Sequence, residues 1–252
     1  MAIDPRKRKE AAMFRHAKLS AALLIGNLVM ASFPTTSQAD ENPVTAVDIA
    51  LEPDATMLQH AKAANARLLG VFPKGFALDD THQPHVTMLQ QFVLTADLDK
   101  VYAAVDKVLS DEKPSDWKLT ASKYYYIPDA EFGLAGIVVA PTPDLARLQR
   151  EVIDAVAPFK AKSGTPAAFM STEDGKDIQK SLIEYVTNFT TIAAGEKFNP
   201  HVTIGVATQA YLKGMLAEPF EAFTFLPTGA SVYQLGTFGT ARKKLKDLHF
   251  GP

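Results

Sequence analysis

PHVTML at residues 84–89 and PHVTIG at residues 200–205 spell Pro-His-Val-Thr twice in a chain of 252 residues with only six histidines, the two motif histidines lying 116 positions apart. A repeated tetrapeptide carries little weight alone, so its surroundings decide. HVTMLQQFVL (85–94) reads as an apolar strand. A helix over about 96–109 follows, with Leu98, Val101, Ala104, Val105 and Val108 on one face, then strands at 117–127 and 133–140. HVTIGVA (201–207) is a second strand, followed by a short helix (208–217) and strands at 220–226 and 231–238. Strand, helix, strand, strand thus follows each copy, which predicts a divergent internal duplication. The predicted fold class is α+β: two pseudo-symmetric lobes of antiparallel sheet with outer helices around a central cleft.

Three further stretches complete the outline. VTAVDIAL (44–51) has strand character, and a helix over 53–70 starts at Asp54 near its N-cap, with Gly70 past its end. A helix over 142–159 carries Leu145, Leu148, Val152, Ile153 and Val156 at helical spacing and would cover a sheet face. A Gly- and Pro-containing segment (162–175) separates it from a helix near 177–192.

Side chains alternate along a strand, so His85 and Thr87 share one face, about 6.5–7 Å apart, while Val86 points to the other. His201, Val202 and Thr203 repeat the arrangement. If the two strands meet near the pseudo-axis, two imidazoles and two hydroxyls line a single cleft. That quartet suits a phosphodiester, above all a cyclic one. One neutral imidazole takes a proton from attacking water while the other, protonated, delivers one to the leaving oxygen, since a histidine pKa of about 6.5 permits both forms near neutrality. The threonine hydroxyls can bond the non-bridging oxygens. The scheme needs no metal and no cofactor, and neither motif offers a second strong ligand: Asp79, Asp80 and Glu196 lie in separate loops without ligand spacing.

Composition narrows the setting. The chain opens with Arg6, Lys7, Arg8, Lys9, Arg15 and Lys18, an apolar run from Leu19 to Phe33, and Ser37-Gln38-Ala39 before Asp40. That order is the layout of a signal peptide and predicts one over 1–39, with Met1 or Met13 as its start, cleaved to release a single bilobal domain, 40–252, to the periplasm or the medium. The apolar run is short for a bilayer span, so an uncleaved anchor is the weaker reading and no membrane association is expected after cleavage. Cysteine is absent, which excludes disulfides, thiol nucleophiles and thiolate ligands. Of 26 Lys/Arg and 28 Asp/Glu, six and two fall in the first 39 residues, leaving 20 against 26, a formal −6. Such a surface is a poor sink for long nucleic acid. A small phosphorylated ligand fits better, and the chain is expected to act as a monomer.

With these residues in hand, the chain resembles the 2H phosphoesterases, the superfamily of 2′,5′ RNA ligase-like proteins and cyclic nucleotide phosphodiesterases defined by two His-x-Thr/Ser motifs in duplicated lobes. The likeness spans roughly residues 44–240, takes in both PHVT strands and the helix DLARLQREVIDAVAPF, and extends to YQLGTFG. It implies that His85, Thr87, His201 and Thr203 form the active site, that activity is metal-independent, and that the substrate is a 2′,3′-cyclic phosphate, a 2′,5′ linkage or an ADP-ribose cyclic phosphate. Export and acidity favour small phosphorylated nucleotides or short RNA ends over ligation of long RNA.

Lys123, Tyr124, Tyr125 and Tyr126 sit on a strand that could border the cleft, and Phe238 in GTFGT is a similar candidate. Arg242, Lys243, Lys244 and Lys246 either attract anions near the site or form a solvated face. Three functions stay open: a phosphodiesterase, a non-catalytic binder of small phosphorylated ligands, and a structural protein whose PHVT strands are only core elements.

Overall fold

The computed structural model describes residues 43–170 and 177–251. The predicted signal peptide and residues 171–176 of the punctuated segment lie outside the described residues. Among the described residues, eight strands and five α-helices run in the order β1 (Val44–Pro53), α1 (Ala55–Val71), β2 (Val86–Leu94), α2 (Leu98–Ser110), β3 (Leu119–Asp129), β4 (Phe132–Val139), α3 (Pro143–Val156), α4 (Lys180–Ile192), β5 (His201–Thr208), α5 (Gln209–Leu216), β6 (Phe223–Phe225), β7 (Pro227–Leu235) and β8 (Ala241–Leu248). Asp54 caps α1 as expected, its side chain accepting from the Thr56 and Met57 amides, a contact worth about 1 kcal/mol. Gly70, expected past the helix end, lies inside it, and Phe72 takes the C-cap.

The strands form two four-stranded antiparallel sheets, β2-β1-β7-β8 and β5-β4-β3-β6. The α+β class with two lobes is therefore observed, but the lobes are not the two halves of the chain. β3 and β4, which follow the first motif, pair with β5, which carries the second. β7 returns to pair with β1. The chain exchanges strands between lobes, and each motif strand ends up at an edge of its sheet. Those two edges, β2 and β5, contact each other, so the seam between lobes is also where the motifs meet.

Alternation explains the layers. Val47, Ile49 and Leu51 of β1 point to one face and join the main core, while Ala46, Asp48, Ala50 and Glu52 point to the other. α2 and α3 pack on each other and cover the first sheet through β2 and β8; α1 and α5 cover the second through β5, β3 and β4. Leu148 and Val152 of α3 are fully buried, each worth about 1.5–3 kcal/mol in transfer from water. α4 packs against β2, where its Val186 joins Ala46, Phe92 and Leu235 on the inner face of the first sheet. One wall of the cleft is built there. Among the described residues, no helix is long and apolar enough to cross a membrane.

Candidate active site

Each motif histidine is set by the residues just before it. His85 Nδ1–H donates to the Gln83 carbonyl at 2.6 Å, and His201 Nδ1–H donates to the Asn199 carbonyl at 2.8 Å. In both cases a proline intervenes, fixing its own φ and pressing the preceding residue into extended backbone, which returns that residue's carbonyl to the ring. The bond leaves Nε2 as the atom that works. Proline thus belongs to the motif for a mechanical reason.

Three residues after each histidine the ladder slips. Thr87 pairs with Ala50 and Leu89 with Ile49, leaving Met88 over; Thr203 pairs with Gly136 and Gly205 with Ala135, leaving Ile204 over. A bulge inserts one residue and so reverses the inside–outside phase beyond it. Met88 and Ile204 go into the core, and Gln90 and Val206 turn onto the cleft wall beside the histidines and threonines. Gly205 accommodates the second bulge with φ of 134°, and a Cβ there would come within 2.9 Å of Asn65 Nδ2. That amide donates at 2.9 Å to both the Ile204 and Phe76 carbonyls, tying the bulge to the loop ahead of the first motif.

His85, Thr87, His201 and Thr203 all line one cleft of about 990 Å³, between β2, β5, the β3–β4 hairpin and α4. A volume of that order suits a small-molecule ligand. Behind His85 stands Asp48 of β1, with no solvent exposure. Its Oδ2 lies 3.2 Å from His85 Nε2 and accepts from Thr87 Oγ1 at 3.0 Å and Gln90 Nε2 at 2.8 Å. The two imidazoles consequently differ. For His85, burial is the largest influence and pulls the pKa down, but the Asp48 charge and hydrogen bond, with help from the Gln83 carbonyl, carry it above 6.5. For His201, burial dominates and pushes the pKa down to about 4, the Asn199 carbonyl opposing and the nearby His85 charge adding to the depression. The arrangement favours the proton on His85, beside Asp48, over His201, whose ring is neutral at pH 7 with an Nε2 lone pair.

Tyr125 meets the His201 ring edge-on at 4.7 Å between centroids and lies across Gly136, where a Cβ would collide with its ring. Phe238 also lines the cleft and keeps φ at 60° without being glycine, a strain of roughly 1–3 kcal/mol of the kind held at ligand sites. Of the residues singled out from sequence, Tyr125 and Phe238 reach the cleft. Tyr124 and Tyr126 pack against the core instead, and Lys123 is exposed. The basic run forms β8, the edge of its sheet opposite β2, so it does not sit at the site. There Lys244 pairs with Glu52 at 2.7 Å and with Asp247 at 2.8 Å, and Arg242 bonds His82. Sequence reasoning missed Asp48, Gln90 and Tyr185 of α4, whose ring also lines the cleft. Only Asp48 left a signal, as a lone acid inside the apolar strand VTAVDIAL. Among the described residues no group of three or more His, Asp and Glu side chains is placed to hold a metal ion.

The model of a family described as the 2′-5′ RNA ligase superfamily matches residues 59–235, which include both motifs. No curated protein matches the chain in sequence. Among solved structures, TT0787 of Thermus thermophilus is similar at 14% identity with a TM-score of 0.49, covering 81% of this chain and 97% of that one. E. coli LigT complexed with ATP is similar at 12% identity and a TM-score of 0.40, over 83% of this chain and 99% of its own. Kluyveromyces marxianus Usb1 with uridine monophosphate gives 11% identity and a TM-score of 0.38, over 81% and 98%.

Proposed function

The chain belongs to the 2′-5′ RNA ligase superfamily, whose members are phosphoesterases and ligases, and we propose that this one is a metal-independent cyclic phosphodiesterase that opens the 2′,3′-cyclic phosphate of a nucleotide or a short RNA end. The observation that carries the reading is the presence in one cleft of two imidazoles in unlike surroundings: His85 Nε2 lies 3.2 Å from the buried Asp48, which raises its pKa above the ordinary value, while burial lowers that of His201. In the proposed step a water oxygen bonds to phosphorus as its proton passes to His201 Nε2. The bond from phosphorus to one ribose oxygen breaks, and that oxygen takes the Nε2 proton of His85. One water is consumed, a phosphomonoester is left, and the proton gained by one ring equals the proton lost by the other. Both transfers are served by imidazole, so the scheme calls for no metal. Thr203 supplies a hydroxyl for a non-bridging oxygen.

The charge of the cleft supports a small substrate. Lys74 and Lys197 face it, balanced by Asp129 and Asp177, which suits a singly charged diester better than a polyanion. Tyr125 and Phe238 offer ring faces or edges to a nucleobase. The test is turnover of a 2′,3′-cyclic mononucleotide panel in excess EDTA, with His85→Ala and His201→Ala alongside. EDTA-resistant turnover lost in both variants is expected. Binding without turnover by the folded parent would leave the non-catalytic binder, and joining of RNA ends through a 2′,5′ linkage would point to the ligase-like alternative.

We also propose export of residues 40–252 to the periplasm or the medium, on the strength of the basic, apolar, small-residue order of residues 1–39. Recovery only from the cytoplasm, with residues 1–39 still attached, would overturn it.

A further inference from the structure

The pseudo-symmetry of the two lobes fails at one buried pair. In the first lobe Asp48 lies opposite Gln90, and at the same place in the second Leu134 lies opposite Val206. Both pairs sit five residues along from their histidine, beyond equivalent bulges. One lobe therefore sets a carboxylate under its motif, and the other sets hydrocarbon.

That carboxylate is unusual in three respects. It has no solvent exposure, so a charge on it needs a cation partner, and the titratable base in contact with it among the described residues is His85. Its Oδ2 accepts a hydrogen bond from the Thr87 hydroxyl, so the first threonine is engaged away from any phosphate, a contact that the Thr203 hydroxyl does not have among the described residues. Its Oδ1 has no hydrogen-bond partner among the described residues. The groups facing His85 are Asp48 and Glu52 from β1, Tyr233 from β7, His201 from β5 and, bordering Asp48, Tyr185 from α4. Glu52 is itself held by Lys244 of β8 and by Ser231, which leaves Asp48 as the neighbour in direct contact with Nε2.

Building on the phosphodiesterase reading, we propose that Asp48 is a positioning residue that assigns the two histidines fixed, non-exchangeable roles, His85 as acid and His201 as base, and that its buried charge biases the cleft toward singly charged phosphodiesters over doubly charged phosphomonoesters. The first part follows from the contact. Deprotonating His85 before substrate binds would leave the buried Asp48 carboxyl with the Thr87 and Gln90 hydrogen bonds but no counter-charge, so in the resting site the proton is favoured on this ring over His201, and His85 is the ring that has one to give. The second follows from Coulomb's law: substrate must share His85 Nε2 with Asp48, and a dianion beside that carboxylate is repelled more than a monoanion, which favours release of the monoester product. At 3.2 Å the contact is longer than a typical charge-assisted bond, so the ring can be shared.

The experiment is an NMR titration of both imidazoles in the ligand-free parent and in Asp48→Asn, with inhibition of each protein by a 2′- or 3′-mononucleotide measured in parallel. In Asp48→Asn the His85 midpoint should fall by about 1–3 pH units and the gap to His201 should narrow. Monoester inhibition should tighten roughly tenfold relative to cyclic diester binding. The double variant Asp48→Leu with Gln90→Val gives the first motif the environment of the second and serves if the asparagine variant does not fold. An unchanged His85 midpoint, or an unchanged preference between diester and monoester, overturns the proposal. A parent without turnover whose His85 midpoint still depends on Asp48 would sink the phosphodiesterase reading while leaving the positioning role of Asp48 intact.

Discussion

The strands β2 and β5 each start within the same four residues, with Pro84 and His85 just ahead of the first and Pro200 just ahead of the second, and they share the ring-to-carbonyl bond across a proline and the bulge, yet they present different chemistry. Across the ladder from β2 stands Asp48, and across from β5 stands Leu134. A motif supplies reactive atoms at fixed spacing, and the neighbouring strand decides which proton they hold. Duplication produces two equivalent copies; an acid on one side makes an acid–base pair of them.

The comparison makes ordered predictions. Removing either ring by His85→Ala or His201→Ala should lower kcat by about 10²–10⁴, the usual contribution of a general acid or base, with no response to EDTA. Retention of rate by either variant would mean that the two motifs do not act together. The threonines should then part company. Thr203→Val should lower kcat tenfold or more, a donor lost to the transition state. Thr87→Val should leave the chemistry less affected but cost about 1–3 kcal/mol of stability, because a buried carboxylate loses a donor. Paired kinetics and thermal melts on both variants would expose a symmetric site if the two respond alike.

In the pH profile of kcat/KM, rate requires His201 neutral and His85 protonated. It should rise with a midpoint of about 4 and fall with a second midpoint on the alkaline side of 6.5, giving a broad top between the two. A narrow bell centred near 6.5 would mean that the two rings titrate as equals. The smallest effect is on stability. The folded state holds His201 at a depressed pKa, so between about 6.5 and 4 the unfolded chain binds more protons and stability declines as pH falls. His85 acts in the opposite sense: its contribution is full below about 6.5 and is lost as pH rises through its raised folded value. Thermal melts of His201→Gln should be flatter on the acid side than those of the parent.

Much of this protein could be read locally. The two-residue alternation in His-Val-Thr puts ring and hydroxyl on one face, and the preceding proline sets the ring's bond. Helical periodicity and Asp54 located the helices because those signals act within a few residues. The order of elements after each copy announced two lobes around a cleft. Strand exchange between lobes was not legible, since chain order does not say which strands pair. Nor were the bulges at Met88 and Ile204, because period-two alternation read straight through them places Gln90 and Val206 on the wrong face. Tyr125 could not be told from Tyr124 and Tyr126 until β3 had a register against β4. The quartet of His85, Thr87, His201 and Thr203, with ring and hydroxyl sharing a face in each pair, was thus written in the order of residues alone. That Asp48 meets the first pair and Leu134 the second came from strand pairing, because a pKa answers to charge and burial within a few ångströms, and those neighbours come from strands that are remote in sequence.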